Sequence, residues 1–311
     1  MTVTARRRGF LGGTDIAAVI GVSPWRSPLD VWLEKTGRAQ QRETNYAMRR
    51  GTRLEALLLE EFGRRHPELR VTRPRKPVIR DAGFPAGASL DGLAYPKTGR
   101  KPTAVLEAKT AFGSWRAFRD GDLPDQYFAQ IQWYLWVCHL PLAYVVADTG
   151  GWDVKEITVQ AAPELQQRLV EEGRRFWLDY VVPDVPPPPA PGHPSDLQAL
   201  GAAYPEIDEE VLELPADVAE LVAQYVAEQR AKAEHEAKLD ELKAIIAAAM
   251  GSHAKGRAGT YEVTWAPQTR ATLDARALRA AHPDIAAQFT RTTESRILRV
   301  RTTQGGLDER D

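Results

Sequence analysis

The sequence predicts an α/β domain with a small central mixed sheet flanked by helices, followed by a helical and β appendage. Three observations carry this. Up to residue 182, glycine-punctuated helical stretches alternate with short apolar runs, and two such runs flank a turn-rich Pro-Lys-Thr-Gly-Arg stretch. The run VVPDVPPPPAPGHPSD from Val181 then removes amide donors and fixes backbone angles, so neither helix nor central strand continues through it. Beyond it the chain turns rich in Ala, Glu, Lys and Leu. This divides the chain into a domain over 1–182, a linker over 183–205 and an appendage over 206–311.

The elements follow in order. Gly12-Gly13-Thr14 precedes DIAAVI and Gly21 follows it, which marks Thr14 as an N-cap and Gly21 as a stop. Ser27-Pro28 opens a second helix, LDVWLEKT, and Gly37 closes it. From Met48 the apolar residues Leu54, Leu57, Leu58 and Phe62 recur at helical spacing and end near Gly63. SLDGLAYPKTGRKPTAVLEAKT reads as two strands joined by a turn. DQYFAQIQWYLWVC is helical, LAYVVAD a buried strand, and PELQQRLVEEGRRFWLDYV a helix that ends at the linker. Pro215 to Met250 makes one helix, ~54 Å if unbroken. YEVTWA and RILRVR then read as strands that bracket a helical LDARALRAAHP.

Composition excludes several classes. With 43% hydrophobic and 27% charged residues, the chain can bury a core of its own. No run of ~18 apolar residues exists, so no membrane span is expected, and the start of the sequence shows no apolar secretory stretch; a cytosolic protein is the expectation. Cys138 is the single cysteine, which excludes a disulfide framework and a cysteine-rich metal site. Set among large apolar residues, it reads as an inert buried thiol. The six histidines are scattered and offer no metal cage.

A formal net charge of −1 conceals a strong asymmetry. Residues 1–80 hold 17 Lys and Arg against 8 Asp and Glu, whereas residues 201–250 hold 4 against 12. The N-terminal part is therefore suited to a polyanion. Arg49, Arg50, Arg53, Arg64, Arg65, Arg70, Arg73, Arg75, Lys76 and Arg80 suit a duplex track, since neutralised phosphates release counterions.

The chemistry gathers at Asp91, Glu107 and Lys109. Strand side chains alternate faces, so Glu107 and Lys109 point one way and Ala108 the other. Asp91, on the preceding strand, can be brought opposite that face. Two converging carboxylates repel each other and need a cation; with oxygen ligands alone, Mg²⁺ or Mn²⁺ is favoured. With a lysine beside it, such a pair makes a metal-assisted hydrolysis site for a phosphodiester. Asp91-Gly92 alone is a common turn and Glu107/Lys109 alone a surface ion pair, but both sit beside apolar Leu90, Val105 and Leu106.

GFPAGASLDGLAYPKTGRKPTAVLEAKT, with an Asp ending one strand and Glu-x-Lys on the next, resembles the PD-(D/E)XK nuclease superfamily. Gln130 and Tyr134 match a Gln-x-x-x-Tyr motif of its exonuclease branch, and Glu55 in GTRLE matches the upstream helix glutamate. The opening Arg8 with GGTDI and SPWRSPLDVWLEKTG resembles the YqaJ-type viral recombinase family, in the lambda-exonuclease-like branch. The four blocks together span residues 6–150.

The resemblance implies a restriction-endonuclease-like core. It further implies that Asp91, Glu107 and the carbonyl of Ala108 hold one divalent ion, that Glu55 helps with a second, and that Lys109 positions or deprotonates the attacking water. Gln130 would orient the site or touch the phosphate, with Tyr134 packing behind it. Arg8 and Thr14, beside the helix start behind Gly12-Gly13, are expected to bind phosphate, and Arg50 and Arg53 of the basic run to contact DNA. Ser-Leu stands before Asp91 where the name motif has Pro. Trp115 and Trp133 read as core; Trp25, in its Ser-Pro-Trp-Arg loop, is a candidate to meet DNA. The activity implied is a Mg²⁺- or Mn²⁺-dependent deoxyribonuclease acting on double-stranded DNA ends, 5′ to 3′, in phage-type recombination. A structure-specific or restriction-like endonuclease and a non-catalytic DNA-binding recombination scaffold are the alternatives. A single-strand annealing protein as partner and a trimeric homo-oligomer are implied by resemblance alone.

Overall fold

The computed structural model describes residues 8–39, 45–110, 122–150, 154–290 and 296–300. Trp115 lies outside them. The chain divides into two units, 1–207 and 208–311.

The first unit is built on a five-stranded mixed sheet. Its strands are β1 (Leu69–Thr72), β4 (Gly92–Pro96), β5 (Ala104–Thr110), β6 (Leu142–Asp148) and β7 (Val154–Gln160), in the order β1-β4-β5-β6-β7. Only β5 and β6 run parallel, which their crossover through a helix requires. A separate antiparallel pair holds β2 (Val78–Asp81) and β3 (Pro85–Ala88). The predicted α/β architecture with a small mixed sheet is therefore found.

Helices cover both faces. Ahead of the sheet come α1 (Gly13–Val19), α2 (Pro28–Lys35) and α3 (Tyr46–Arg65); α4 (Asp125–Cys138) links β5 to β6, and α5 (Pro163–Phe176) follows β7. Residue parity divides the sheet between two cores. Val105, Ala143, Val145 and Ala147 join Ile131, Trp133 and Leu135 of α4, Ile16 of α1 and Leu169 of α5. Ala104, Leu106, Ala108 and Val146 face the other way, onto Leu58, Leu59 and Phe62 of α3. Leu57, expected on that face, is exposed, because the buried stripe of α3 runs through Leu58, Leu59 and Phe62 instead.

Helix ends follow local chemistry. Ser27 accepts from the Asp30 amide with Pro28 at the first helical position, as predicted. Gly21, at φ 77°, takes the left-handed turn that stops α1. Thr14 is not the cap of α1. The helix starts at Gly13, and the Gly12 amide donates to Asp15 Oδ2 at 2.9 Å. The helix expected to reach the linker changes at Trp177 into a five-residue π-turn, Trp177–Val181, whose Tyr180 carbonyl accepts from Trp32 Nε1 at 3.1 Å.

The proline-rich stretch packs onto the first unit. Arg38 pairs with Asp184 through both guanidinium nitrogens at 2.5 and 2.7 Å, and Ser195 Oγ donates to Asp30 Oδ2 at 2.5 Å. A further helix, α6 (Asp196–Ala203), lies against α2 with Ala199 buried. Residues 183–205, expected to form the linker, thus fall within the contacts of the first unit, whose limit is Ile207.

In the second unit, α7 (Ala216–Met250) is the predicted long helix. An antiparallel hairpin of β8 (Lys255–Ala258) and β9 (Tyr261–Thr264) follows, then α8 (Ala275–Ala281) and α9 (Pro283–Phe289). RILRVR, read as a strand, forms none over 296–300: among the described residues no partner edge pairs with it. Among the described residues no helix is long and apolar enough to cross a membrane.

Candidate active site

Strand β5 supplies the centre of the site. Its alternation sends Val105, Glu107 and Lys109 towards α4, with Ala108 on the α3 side, as parity predicts. The ladder between β4 and β5 closes at Gly92 opposite Leu106. Immediately past it, the Ala108 amide donates to Asp91 Oδ2 at 2.9 Å, so the aspartate side chain continues where main-chain pairing stops. That bond turns the Asp91 carboxyl towards the strand carrying Glu107, near enough for the charge of Asp91 to raise the Glu107 carboxyl.

Helix α4 closes the other side. Gln130 and Tyr134, one turn apart, face β5 together. Gln130 Nε2 donates to Glu107 Oε1 at 2.7 Å and lies 3.0 Å from the Tyr134 hydroxyl, while its Oε1 accepts from Lys109 Nζ at 3.1 Å. Lys109 Nζ also donates to Glu107 Oε1 at 2.6 Å and sits 4.6 Å from the centre of the Tyr127 ring. Glu107 is 4% exposed and Gln130 3%, so this cluster is held in a dry wall.

The electrostatics are those of a site built to receive positive charge. Burial pushes the Glu107 carboxyl up to about 7, against the pull of Lys109. Asp91 is likewise raised by burial, although the Ala108 amide and Lys109 act in the opposite sense. Glu55, on α3, is raised by burial and then by the charge of Asp91; Arg73 Nη2 stands 3.6 Å from it. Burial alone would lower the Lys109 ammonium, but Glu107 outweighs it and the net direction is up. Three acids whose charges bear on one another, all raised by burial, fit a divalent cation with oxygen ligands. Among the described residues no three of His, Cys, Asp and Glu form a side-chain cage.

The other predicted residues lie on neighbouring elements. Arg8 is exposed beside the turn at Gly37. Thr14 is half-buried in the first turn of α1, where the Gly12 amide is occupied by Asp15. On α3, Arg50 is half-buried and Arg53 exposed. Parts of the basic run have internal partners: Arg64 and Arg65 meet Glu61, Arg70 stacks on Tyr95, and Arg80 donates to the Trp136 carbonyl and stacks on its ring. Trp133 is core, and Trp25 is 56% exposed, its ring 6.1 Å from that of Tyr127.

Two features escaped the sequence reading. Gly13 packs α1 onto the site helix: a Cβ there would fall 2.6 Å from Tyr134 Cε1 and 2.9 Å from Gln130 Cγ. Behind it lies a buried ion network. Lys35 Nζ meets Asp15 at 2.6 Å and Glu34 at 3.2 Å, and Arg26 bridges the same two acids at 2.7 and 2.8 Å. The signal was a lysine following Leu29, Val31, Trp32 and Leu33 on the inward side of α2, where a partner acid was needed.

Residues 3–144 match the YqaJ-like viral recombinase domain. The chain is 26% identical over 296 residues to the protein YqaJ of Bacillus subtilis strain 168, covering 94% of this chain and 90% of that relative. Among solved structures it resembles an alkaline exonuclease from Laribacter hongkongensis, at 21% identity and TM-score 0.47, over 57% of this chain and 90% of the other. A phage-related exonuclease from Haemophilus somnus 129PT matches at 12% identity and TM-score 0.41, over 58% and 99% of the two chains.

Proposed function

We propose that this chain, homologous to the YqaJ-like viral recombinases, is a metal-dependent deoxyribonuclease that resects linear duplex DNA from its ends, 5′ to 3′, for phage-type recombination. The observation that carries the reading is the cluster of Glu107, Lys109 and Gln130, with Asp91 anchored beside it on the Ala108 amide. Asp91, Glu107 and the Ala108 carbonyl would hold one Mg²⁺ or Mn²⁺, with Glu55 assisting a second. When bound, the ion supplies Lewis acidity at the scissile phosphate and acidifies a water.

This chain's own residues do the rest. Lys109, fixed at its amine by Glu107 and Gln130, stabilises the charge that develops on the phosphate and orients the incoming water. Gln130, itself held by Tyr134, keeps the lysine in place as the carboxylates shed their protons. Arg8 and Thr14 take a phosphate of the strand end, and Arg50 and Arg53 the duplex backbone. Trp25 offers an exposed ring for an unpaired base. The reading also entails a cytosolic enzyme, a homo-oligomeric assembly and a single-strand annealing protein as partner.

Purified protein is incubated with linear and closed circular duplexes in Mg²⁺ or Mn²⁺. Linear DNA should be degraded and the circle spared, with the 5′-phosphorylated end consumed before a blocked one. Asp91→Ala and Lys109→Ala should each abolish degradation without unfolding the protein. Wild-type activity in either variant, or cleavage of the circle, overturns the reading.

A further inference from the structure

Helix α7 (Ala216–Met250) of the second unit leaves a broken row of apolar side chains uncovered. Helix α7 spans 35 residues, yet among the described residues of the unit only Met250 is buried. Leu221, Tyr225, Leu239, Leu242 and Ile246 are all exposed. With Val218 they recur every three or four residues, the a and d positions of a heptad, interrupted mid-helix by Glu228, Lys232 and His235.

The order of these residues selects both partner and direction. Residues equidistant from Arg230 are complementary: Val218 with Leu242, Leu221 with Leu239, Tyr225 with His235, and Glu228 with Lys232. The match continues outward, where Leu214, 53% exposed just before the helix, mirrors Ile246. We infer that α7 pairs with α7 of a second copy of this chain, antiparallel about a twofold axis beside residue 230. Such an isologous contact uses every pair twice, so two Glu228–Lys232 ion pairs flank the axis and leucine layers close both ends. A parallel pair would set Glu228 against Glu228 and Lys232 against Lys232. Sliding the antiparallel pair by one heptad puts Glu228 on Leu239 in one direction and Lys232 on Leu221 in the other, each burying a charge on an apolar side chain. The central charges therefore fix the register, as polar core positions do in coiled coils. The contact is independent of the nuclease reading, because the proposed catalytic groups all lie in the first unit.

The test uses the full chain. In a Cys138→Ser background, Leu221→Cys and Leu239→Cys proteins are oxidised mildly, separately and mixed. The mixture should give at least ~tenfold more covalent dimer than either protein alone. Equal or greater dimer from the single proteins, or none from the mixture, overturns the proposal. Sedimentation equilibrium provides a second measurement. Glu228→Lys and Lys232→Glu should each weaken association by at least ~tenfold, and the double exchange should restore it to within ~threefold. Leu221→Cys/Leu239→Cys cross-linking that survives Glu228→Lys undiminished, or a chain monomeric at ~100 μM, refutes it.

Discussion

Replacing Gly13 with alanine tests whether α1 positions the site helix. Glycine-to-alanine changes inside helices ordinarily stabilise by ~0.5–1 kcal/mol, because they restrict the unfolded chain and favour helical angles. At Gly13 the added methyl would sit 2.6 Å from Tyr134 Cε1, 2.9 Å from Gln130 Cγ and 3.0 Å from the Gln130 carbonyl oxygen. Ordinary contact begins near 3.4 Å, so α1 and α4 must separate by most of an ångström, and one of the opposed atoms is backbone that cannot swing aside. Overpacking of this kind costs ~1–3 kcal/mol, which reverses the usual sign. Gln130 bonds both Glu107 and Lys109, and a displacement approaching 1 Å in such a group lowers turnover by up to ~100-fold. Urea denaturation of Gly13→Ala should therefore show net destabilisation, and single-turnover degradation of linear duplex a reduced rate. Gly63→Ala is the control: there the methyl would meet Val71 at 3.6 Å, an ordinary contact, and the variant should gain stability. If Gly13→Ala gains stability and keeps full rate, the close approach of α1 to Gln130 is not as described.

Three further outcomes are expected. Asp15→Ala removes the carboxylate 2.6 Å from the buried Lys35 ammonium and should cost ~3–5 kcal/mol by denaturant melting, most of it recovered in Asp15→Leu/Lys35→Met. Without divalent metal, burial holds Glu107 near 7, above its unfolded value, so the folded state binds the extra proton between roughly pH 4.5 and 7. Stability should then be greatest below that window and fall by a few kcal/mol across it, and Mg²⁺ added at pH 8 should raise Tm where a Glu107→Gln variant shows little gain. Burial pushes the Cys138 thiol up to about 11, so a thiol reagent at pH 8 should label the folded protein far more slowly than the denatured one.

Much of the site was legible in the chain order. The alternation of β5 requires Glu107 and Lys109 to share a face, and the i, i+4 spacing of Gln130 and Tyr134 requires the same of them on α4. Helix bounds written in apolar periodicity and strong caps, such as Ser27-Pro28, were also readable, because those signals act within one turn. Strands β1, β2, β3, β7 and β8 were not foreseen: four of the five have four residues, too few for alternation to mark them, and β1 pairs with β4 rather than with a chain neighbour. The proline-rich run failed as a linker for a related reason. Proline denies it helix and ladder, but Asp184 and Ser195 still anchor it to Arg38 and Asp30.

The sequence by itself determined which residue types share a face and which segments are apolar, since both are set by the fixed periods of helix and strand. Tertiary structure alone decided that Asp91 is drawn onto Ala108 and so towards Glu107, that Gly13 must lack a side chain, and that Asp15 and Lys35 bury each other. Each of these depends on two elements distant in the chain approaching within a few ångströms, a distance that packing fixes and no local preference encodes.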